Sequence, residues 1–357
     1  MGYPPCNNAN DLKSLGQEIL QTATQSLCKF ISGEFDAWQR IDDMYHISFN
    51  PDVNPPNEND IEQYMNNMYG YIPSAFESYG YPDPGVCTPI ATTLLGVAST
   101  LLGDKNGQMK LQATDNTGMP APVPITCPTS IPFIRVGTMR NHLAHWNGKA
   151  YENFLDAFVT QIAPPAGGGV IKNHGALAGW LALVLNAYQS IRTSAIKDAC
   201  DIGQKTLDAL DQLHQKDAKE VAATLSVVGA VGAVATAAAP VSAALAVLGL
   251  IKDILTDSTS SKPKPTIGGP TVVAVLGSME IALDQLASKI AEQERQLVAA
   301  LNTIKTNVDQ LSTTDGNRPS QMDIPAPNDV TSLQDARLSD LNNPSNLESF
   351  YPNSNGG

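Results

Sequence analysis

An apolar seam of more than five heptads, between residues 272 and 311, limits the possible folds of this chain more than any other feature. Its members follow one another at steps of four and three residues, with one polar layer at Gln293. They are Val272, Leu276, Met279, Leu283, Leu286, Ile290, Leu297, Leu301, Ile304, Val308 and Leu311. This spacing predicts one long helix whose apolar stripe packs against other helices. The pattern does not distinguish packing of this stripe against helices of the same chain from packing against helices of another chain.

Helical periodicity is not confined to this seam. Apolar residues recur at three- and four-residue spacing in most of the chain, and no segment alternates convincingly with the two-residue period of a strand. The further predicted helices cover about 11–47, 60–79 and 88–103, then 133 to the turn at Trp146, 149–162 and 171–217. The predicted fold class is therefore all-α, an elongated bundle of long antiparallel helices with coiled-coil-like packing.

Changes in composition divide the chain into four predicted segments. Residues 1–103 form an N-terminal helical hairpin region, and 104–132, rich in Pro, Thr, Asn and Gly, form a linker or loop. Residues 133–311 form the main helical bundle. Residues 312–357 are polar and rich in Pro, Asn and Ser, so they have little apolar surface to bury and are predicted to be a disordered tail.

Residues 221–251 contain no charged side chain. The run is longer than the roughly 20 residues that a helix needs to span a bilayer. Alanine and glycine are frequent in it, however, and contribute little apolar area, and Pro240 divides it. We therefore favour a tightly packed hairpin inside a soluble bundle. The alternative is a membrane-inserting segment that the bundle shields until release.

Charge and cysteine content exclude some classes of partner and of metal site. The net charge of −13 argues against a nucleic-acid partner, because no basic surface is available to neutralise phosphates. Residues 1–40 lack the charged, apolar and small-residue regions of a Sec signal peptide. Five scattered cysteines without C-x-x-C spacing disfavour a zinc site, allow at most two intrachain disulfides and leave the redox compartment open.

The histidines are the first candidates for chemistry. His142 and His145 are three residues apart, so they lie on one helix face and could supply two metal ligands, with His174 as a distant third. No H-E-x-x-H motif accompanies them, and nucleophile-elbow, Walker and G-x-G-x-x-G patterns are also missing. We interpret these histidines as neighbours of a turn and expect no metal, no cofactor and no enzymatic activity.

The turn itself is more informative. Trp146-Asn147-Gly148 stands between two helical segments, where Gly148 can adopt the left-handed conformation that ends a helix and Trp146 can pack across the join. The stretch HWNGKAYENF resembles the W-x-G turn of type VII (ESX) secretion substrates, and the size of the chain is similar to the larger EspB-like and PE/PPE-like members. The resemblance implies a helical hairpin at this turn, an actinobacterial-type source and secretion without a Sec signal peptide.

These families also carry a Y-x-x-x-D/E export signal after a helical hairpin. The chain has one literal match, Tyr79-Gly-Tyr-Pro-Asp83, directly after the second predicted helix. Its position fits, but Pro82 disfavours the helical spacing that the signal usually adopts. Tyr79 and Asp83 are therefore a candidate export signal implied by the resemblance.

Three hypotheses of function follow. The leading one is a non-enzymatic protein associated with type VII secretion, whose partners are the secretion machinery and a second copy or another helical protein, paired through an exposed heptad face of 272–311. The second is a pore-forming or membrane-perturbing protein that inserts residues 221–251. The third is a structural subunit of a larger assembly. The expected location is outside the cell or at its surface.

Overall fold

The computed structural model describes most of the predicted helices. The described residues are 5–33, 58–103, 131–143, 149–163, 169–213, 221–224, 266–313 and 322–323. Of these residues, 88% are helical. The predicted all-α class is therefore confirmed, and the helices form a bundle. The predicted loop 104–132 lies outside the described residues except for Ile131 and Pro132, which begin a helix instead. The predicted tail 312–357 lies outside them except for residues 312–313 and 322–323.

The first helix, α1 (Ala9–Gly33), begins where an asparagine supplies a cap. The side-chain oxygen of Asn8 accepts a hydrogen bond from the backbone N–H of Asp11, and the carboxylate of Asp11 accepts one from the N–H of Asn7. These two bonds satisfy N–H groups at a helix start, which has no intrahelical partners for them. The predicted continuation of this helix to residue 47 lies outside the described residues.

The predicted helix at 60–79 is two helices, α2 (Glu58–Tyr69) and α3 (Ile72–Ser78). The interruption lies at Gly70 and Tyr71, because Pro73 occupies the first turn of α3 and cannot donate a backbone hydrogen bond to the preceding turn. A 3₁₀ turn, Pro84–Val86, then leads directly into α4 (Cys87–Leu102).

The middle of the chain contains shorter helical pieces. Helix α5 covers Ile131–His142. Helix α6 (Lys149–Phe154) continues into a π-helical segment, Leu155–Val159, and a last turn, Thr160–Ile162. The rings of Phe154 and Phe158 stack within this segment, with centroids 5.3 Å apart.

Two long helices dominate the remainder, α7 (Val170–Leu213) and α8 (Val272–Ser312). Between them in sequence, β1 (Val221–Thr224) pairs antiparallel with β2 (Thr266–Gly269), with Val221 opposite Gly269. This two-stranded sheet is a small departure from the expected absence of strands. Of the uncharged run 221–251, only the four residues of β1 are described, so its buried and membrane-inserting interpretations both remain predictions.

The chain divides into two compact units, which we describe separately. Unit 1 comprises Met1–Thr88, Asn186–Thr236 and Asp253–Leu297, and unit 2 comprises Pro89–Leu185, Ala237–Lys252 and Val298–Gly357. The four-segment organisation inferred from composition remains a prediction.

The core of unit 1 depends on close approach between helices. Leu12, Ile19, Met65, Ile72 and Phe76 are fully buried there. Two glycines permit the contacts: a Cβ at Gly16 would lie 2.7 Å from the Cα of Pro73, and a Cβ at Gly203 would lie 2.5 Å from Cδ2 of Leu15. Helices α1, α3 and α7 therefore approach more closely than larger residues at these positions would allow.

The heptad seam of α8 is largely buried within the chain itself. Val272, Leu276, Met279, Leu283, Leu286 and Ile290 are all buried in unit 1. The expectation that this seam presents an exposed pairing face is therefore wrong, since the seam residues already have cover. Toward the C-terminus the buried stripe keeps its seven-residue repeat through Ala300 and Asn307, whereas Leu301, which the predicted seam included, is 40% exposed.

Candidate functional site

The two predicted motifs are described to different extents. Trp146, Asn147 and Gly148 lie outside the described residues, but the helices on both sides are described, with α5 ending at His142 and α6 beginning at Lys149. Nη2 of Arg140 in α5 donates a hydrogen bond of 3.1 Å to the hydroxyl of Thr160 in the last turn after α6. The helical segments that flank the Trp-Asn-Gly sequence therefore contact each other.

Tyr79 follows the last residue of α3 and is held by its own hydroxyl group. This hydroxyl donates a hydrogen bond of 2.8 Å to the carbonyl oxygen of Leu283 in α8. Burial, with a smaller contribution from the negative charge of Asp284, raises the pKa of Tyr79 to about 12. The phenol is therefore neutral at physiological pH and acts as a fixed structural donor.

Asp83 has a separate local role. Its carboxylate accepts a hydrogen bond of 2.8 Å from the N–H of Gly85 and so caps the 3₁₀ turn that precedes α4. Residues 79–83 are not helical, which agrees with the effect expected of Pro82. Tyr79 and Asp83 thus lie in one non-helical connection, and each is bonded to a different part of unit 1.

A buried arginine holds this connection in place. Arg192, on α7, is almost fully buried, and its Nη2 donates hydrogen bonds to the carbonyl oxygens of Tyr79, at 3.3 Å, and of Tyr81. Its Nη1 lies 3.6 Å from a carboxylate oxygen of Glu294 on α8. We call these four residues the Arg192 clamp. A guanidinium suits this role because its planar fork offers several donors at once.

The sequence offered little signal for this clamp. Arg192 is an isolated charge in an otherwise apolar helical pattern, and two of its partners are backbone carbonyls more than 100 residues away. A charge at a position that periodicity assigns to a buried face was the only available indication.

A disulfide joins the segment before α1 to α7. Cys6 and Cys200 are bonded, with their Cα atoms 5.8 Å apart, and Cys28 and Cys87 are free thiols. Cys127 lies outside the described residues. Beside the disulfide is a cavity of about 460 Å³ in unit 1, lined by Pro5, Asn7, Pro84 and polar side chains of α7 that include Lys197 and Asp201. The disulfide fixes the wall of this cavity that Pro5–Asn7 provide.

A buried carboxylate, Asp198, and a half-buried amine, Lys289, lie where α7 and α8 approach each other in unit 1. Burial raises the pKa of Asp198 to about 7, against the opposing effect of Lys289 and with reinforcement from Asp201. Burial also lowers the pKa of Lys289 more than Asp198 raises it. Both shifts favour the uncharged forms, because removal from water costs each group more than their mutual attraction returns.

The histidines form no metal site that the structure describes. His142 is exposed at the end of α5, and His145 lies outside the described residues. Nε2 of His174 is 2.7 Å from the carbonyl oxygen of Met322, so that ring nitrogen already has a protein partner. Over the described ranges, no cluster of three or more histidine, cysteine, aspartate and glutamate side chains could hold a metal ion.

The polar groups of unit 1 are thus chiefly a clamp and a disulfide, which fix backbone segments, together with the Asp198–Lys289 pair. Comparison with protein-family models, with curated proteins and with solved structures gives no match. The inference of function consequently rests on the sequence motifs and on these contacts.

Proposed function

We propose that the protein is a non-enzymatic, exported helical protein of the W-x-G type, which leaves the cell through a type VII secretion route and acts by binding other proteins. The single observation that carries this proposal is the contact between the two helical segments on either side of Trp146 and Gly148. In this class the W-x-G sequence marks a helix-to-helix connection, and the hydrogen bond between Arg140 and Thr160 supports such a connection here.

The disulfide supports the exported location. Cysteine pairs form and persist mainly in oxidising compartments, whereas thiols in the cytosol are kept reduced. The Cys6–Cys200 bond joins residues 194 apart in sequence, so it stabilises the long-range association of the N-terminal segment with α7. We expect this bond in protein recovered from the culture medium.

Export is tested by replacing the turn residues one at a time. In Trp146→Ala and Gly148→Ala, we expect the protein to accumulate in the cell, because the connection that the export machinery recognises is altered. The matched control is His142→Ala, an exposed position at the end of α5, which should be exported like the wild type. Immunoblots of medium and lysate measure the distribution, with circular dichroism of the purified variants as the check on folding.

Wild-type export of both turn variants would overturn the proposal. The candidate export signal requires its own variants, because Tyr79 has a structural role. Asp83→Ala removes an exposed carboxylate, and Tyr79→Phe keeps the ring but removes the hydrogen bond to Leu283. Loss of export in Asp83→Ala alone would support recognition of the acidic position, and normal export of both variants would remove this signal.

The pore-forming and structural-subunit hypotheses depend on other parts of the chain. Pore formation through residues 221–251 remains a prediction, since only Val221–Thr224 of that run are described. A structural subunit of a larger assembly would need a surface other than the α8 seam, because most seam residues are buried within the chain. Electron microscopy of the purified protein would reveal ordered particles or filaments if this third hypothesis holds.

A further inference from the structure

Helix α4 differs from every other described helix in its relation to solvent. The stretch Pro84–Leu102, which includes the 3₁₀ turn, has no charged residue and a mean hydropathy of 1.6 over its apolar window. Within the described ranges it is the one helix long and apolar enough to cross a membrane, and only 17% of that window is buried. A core helix of the same composition would be mostly buried.

The buried and exposed sides of α4 can be assigned residue by residue. Ala91, Ala98 and Leu102 form the buried stripe. A second stripe runs beside it at steps of four, three and four residues, namely Ile90, Leu94, Val97 and Leu101. Ile90 is 52% exposed and Val97 is 43% exposed, whereas Leu94 and Leu101 are partly exposed.

The remaining outward positions of α4 are uncharged as well. They are occupied by Thr88, Pro89, Thr92, Thr93, Gly96 and Thr100. The solvent face of a helix in a soluble bundle ordinarily carries lysine, arginine, glutamate or aspartate. On α8, for comparison, Glu292, Arg295, Lys305 and Asp309 form ion pairs on the outward side. An uncharged outer face suits contact with a neutral, apolar medium better than contact with water.

The helix is also held firmly at its start. The Arg192 clamp fixes the chain at Tyr79 and Tyr81, and Asp83 caps the turn that leads into α4. Folded helices α1 to α3 precede it, so α4 is an element of the folded protein and not a free leader segment. An apolar face on a helix that is already folded can contact a surface without first unfolding.

We propose that the exposed face of α4 lies on a lipid bilayer, with Ile90 and Val97 entering the boundary between headgroups and acyl chains. The stripe of Ala91, Ala98 and Leu102 remains packed in the protein, so the helix lies in the plane of the interface and does not span it. This inference is independent of the export route, and it concerns a different element from the run 221–251.

Charge determines which lipids this face prefers. The chain carries a net charge of −13, Asp83 is exposed just before the helix, and α4 itself offers no cation. Anionic lipids would therefore repel the protein and add no compensating ion pair. We expect binding to phosphatidylcholine vesicles to exceed binding to vesicles in which a third of the lipid is phosphatidylglycerol, with the difference largest at low salt.

Vesicle flotation of the full chain tests the proposal with three variants. The double variant Ile90→Glu, Val97→Glu should lower the bound fraction by about tenfold or more, because two carboxylates enter an apolar boundary. The matched control Ile281→Glu, Val298→Glu changes two exposed apolar residues on α8 and should bind like the wild type. Leu245→Glu places one carboxylate in the run 221–251 and should also leave binding unchanged.

Two results would overturn the inference. One is unchanged flotation of the α4 double variant, and the other is loss of flotation in Leu245→Glu with the α4 variant unaffected. A fluorescent label on Val97→Cys, with Cys28, Cys87 and Cys127 replaced by serine, provides an independent readout, and its emission should shift to the blue when vesicles are added.

Solution mass by light scattering distinguishes a bilayer from a second copy of the chain. If the wild type is an oligomer and the α4 double variant is a monomer, α4 is a protein interface and the inference is wrong. An equal mass for both proteins, together with the loss of flotation, supports the bilayer.

Discussion

Helices α4 and α8 are both rich in apolar residues, yet they place them in opposite environments. On α8 most apolar residues lie in one stripe that is largely buried, and the outward side carries ion-paired charged residues beside the exposed Ile281 and Val298. On α4 no charge limits the apolar surface, and Ile90 and Val97 remain open to solvent. Periodicity combined with charge thus indicates a core-facing helix, whereas hydropathy alone does not reveal what a helix contacts.

The comparison is tested most strongly by truncating leucines on α8. Leu286→Ala removes a buried seam residue and should lower the free energy of unfolding by about 2–5 kcal/mol, from lost burial and the cavity left behind. Leu301→Ala is the matched control, because it is the same substitution on the same helix at a position that is 40% exposed. It should cost less than about 1 kcal/mol in urea unfolding.

Equal losses for the two leucine variants would contradict the assignment of buried and exposed sides on α8. Val97→Ala extends the test to α4. If the exposed face of α4 has no cover in solution, this substitution should change stability by less than about 0.5 kcal/mol.

A second difference between the helices is that α8 faces a buried carboxylate. The pKa of Asp198 is about 7 in the folded state and 3.8 ordinarily. Between pH 3.8 and pH 7 the folded state therefore holds a proton that the unfolded state has lost. The free energy of unfolding that depends on this proton is fully present below about pH 4 and is lost as the pH rises to about 7. Asp198→Asn should therefore gain about 2–4 kcal/mol relative to the wild type at pH 8, and the gain should shrink as the pH falls toward 4.

Urea unfolding of both proteins across this pH range measures the change. Asp208→Asn, an exposed position on the same helix, is the control and should follow the wild type at every pH. A constant difference between Asp198→Asn and the wild type over the range would show that Asp198 does not titrate in the folded state as described.

Glycines provide the smallest and most local test. A Cβ at Gly203 would lie 2.5 Å from Leu15 and 3.1 Å from Phe76, so Gly203→Ala should cost about 1–2 kcal/mol after the gain in helix propensity. A Cβ at Gly96 in α4 or at Gly277 in α8 meets nothing within 4 Å. Gly96→Ala and Gly277→Ala should therefore each raise stability by about 0.5–1 kcal/mol in thermal or urea unfolding. Destabilisation by Gly96→Ala would indicate that α4 has a close neighbour in solution.

Much of the fold follows from periodicity, and the errors have physical reasons. The bounds of α4, α7 and α8 lie within a few residues of the predicted ranges, because long amphipathic patterns with clear ends are strong signals. The pattern placed Leu301 in the seam, whereas Ala300 is buried. The predicted seam takes two successive four-residue steps from Gln293 to Leu301 and so leaves the seven-residue repeat, whereas the buried Leu286, Ala300 and Asn307 keep that repeat.

The site was less predictable than the helices. Tyr79 and Asp83 were selected from a short motif, but Arg192, which binds the backbone between them, belongs to a helix more than 100 residues further on. Five cysteines permit several pairings, and spacing alone does not select Cys6 with Cys200. The raised pKa of Asp198 depends on its burial at the approach of α7 to α8, which no local pattern encodes.

The pairing of Cys6 with Cys200 also sets an order of events for an exported chain. Once it forms, the residues between the two sulfurs constitute a closed covalent ring that includes α1 to α6 and most of α7. A ring cannot be drawn end-first through a channel that admits one extended strand, whereas the reduced chain can. A narrow channel therefore requires that the chain is exported before the disulfide forms. If a chain trapped during export already contains the disulfide, the channel must be wide enough to admit the closed ring.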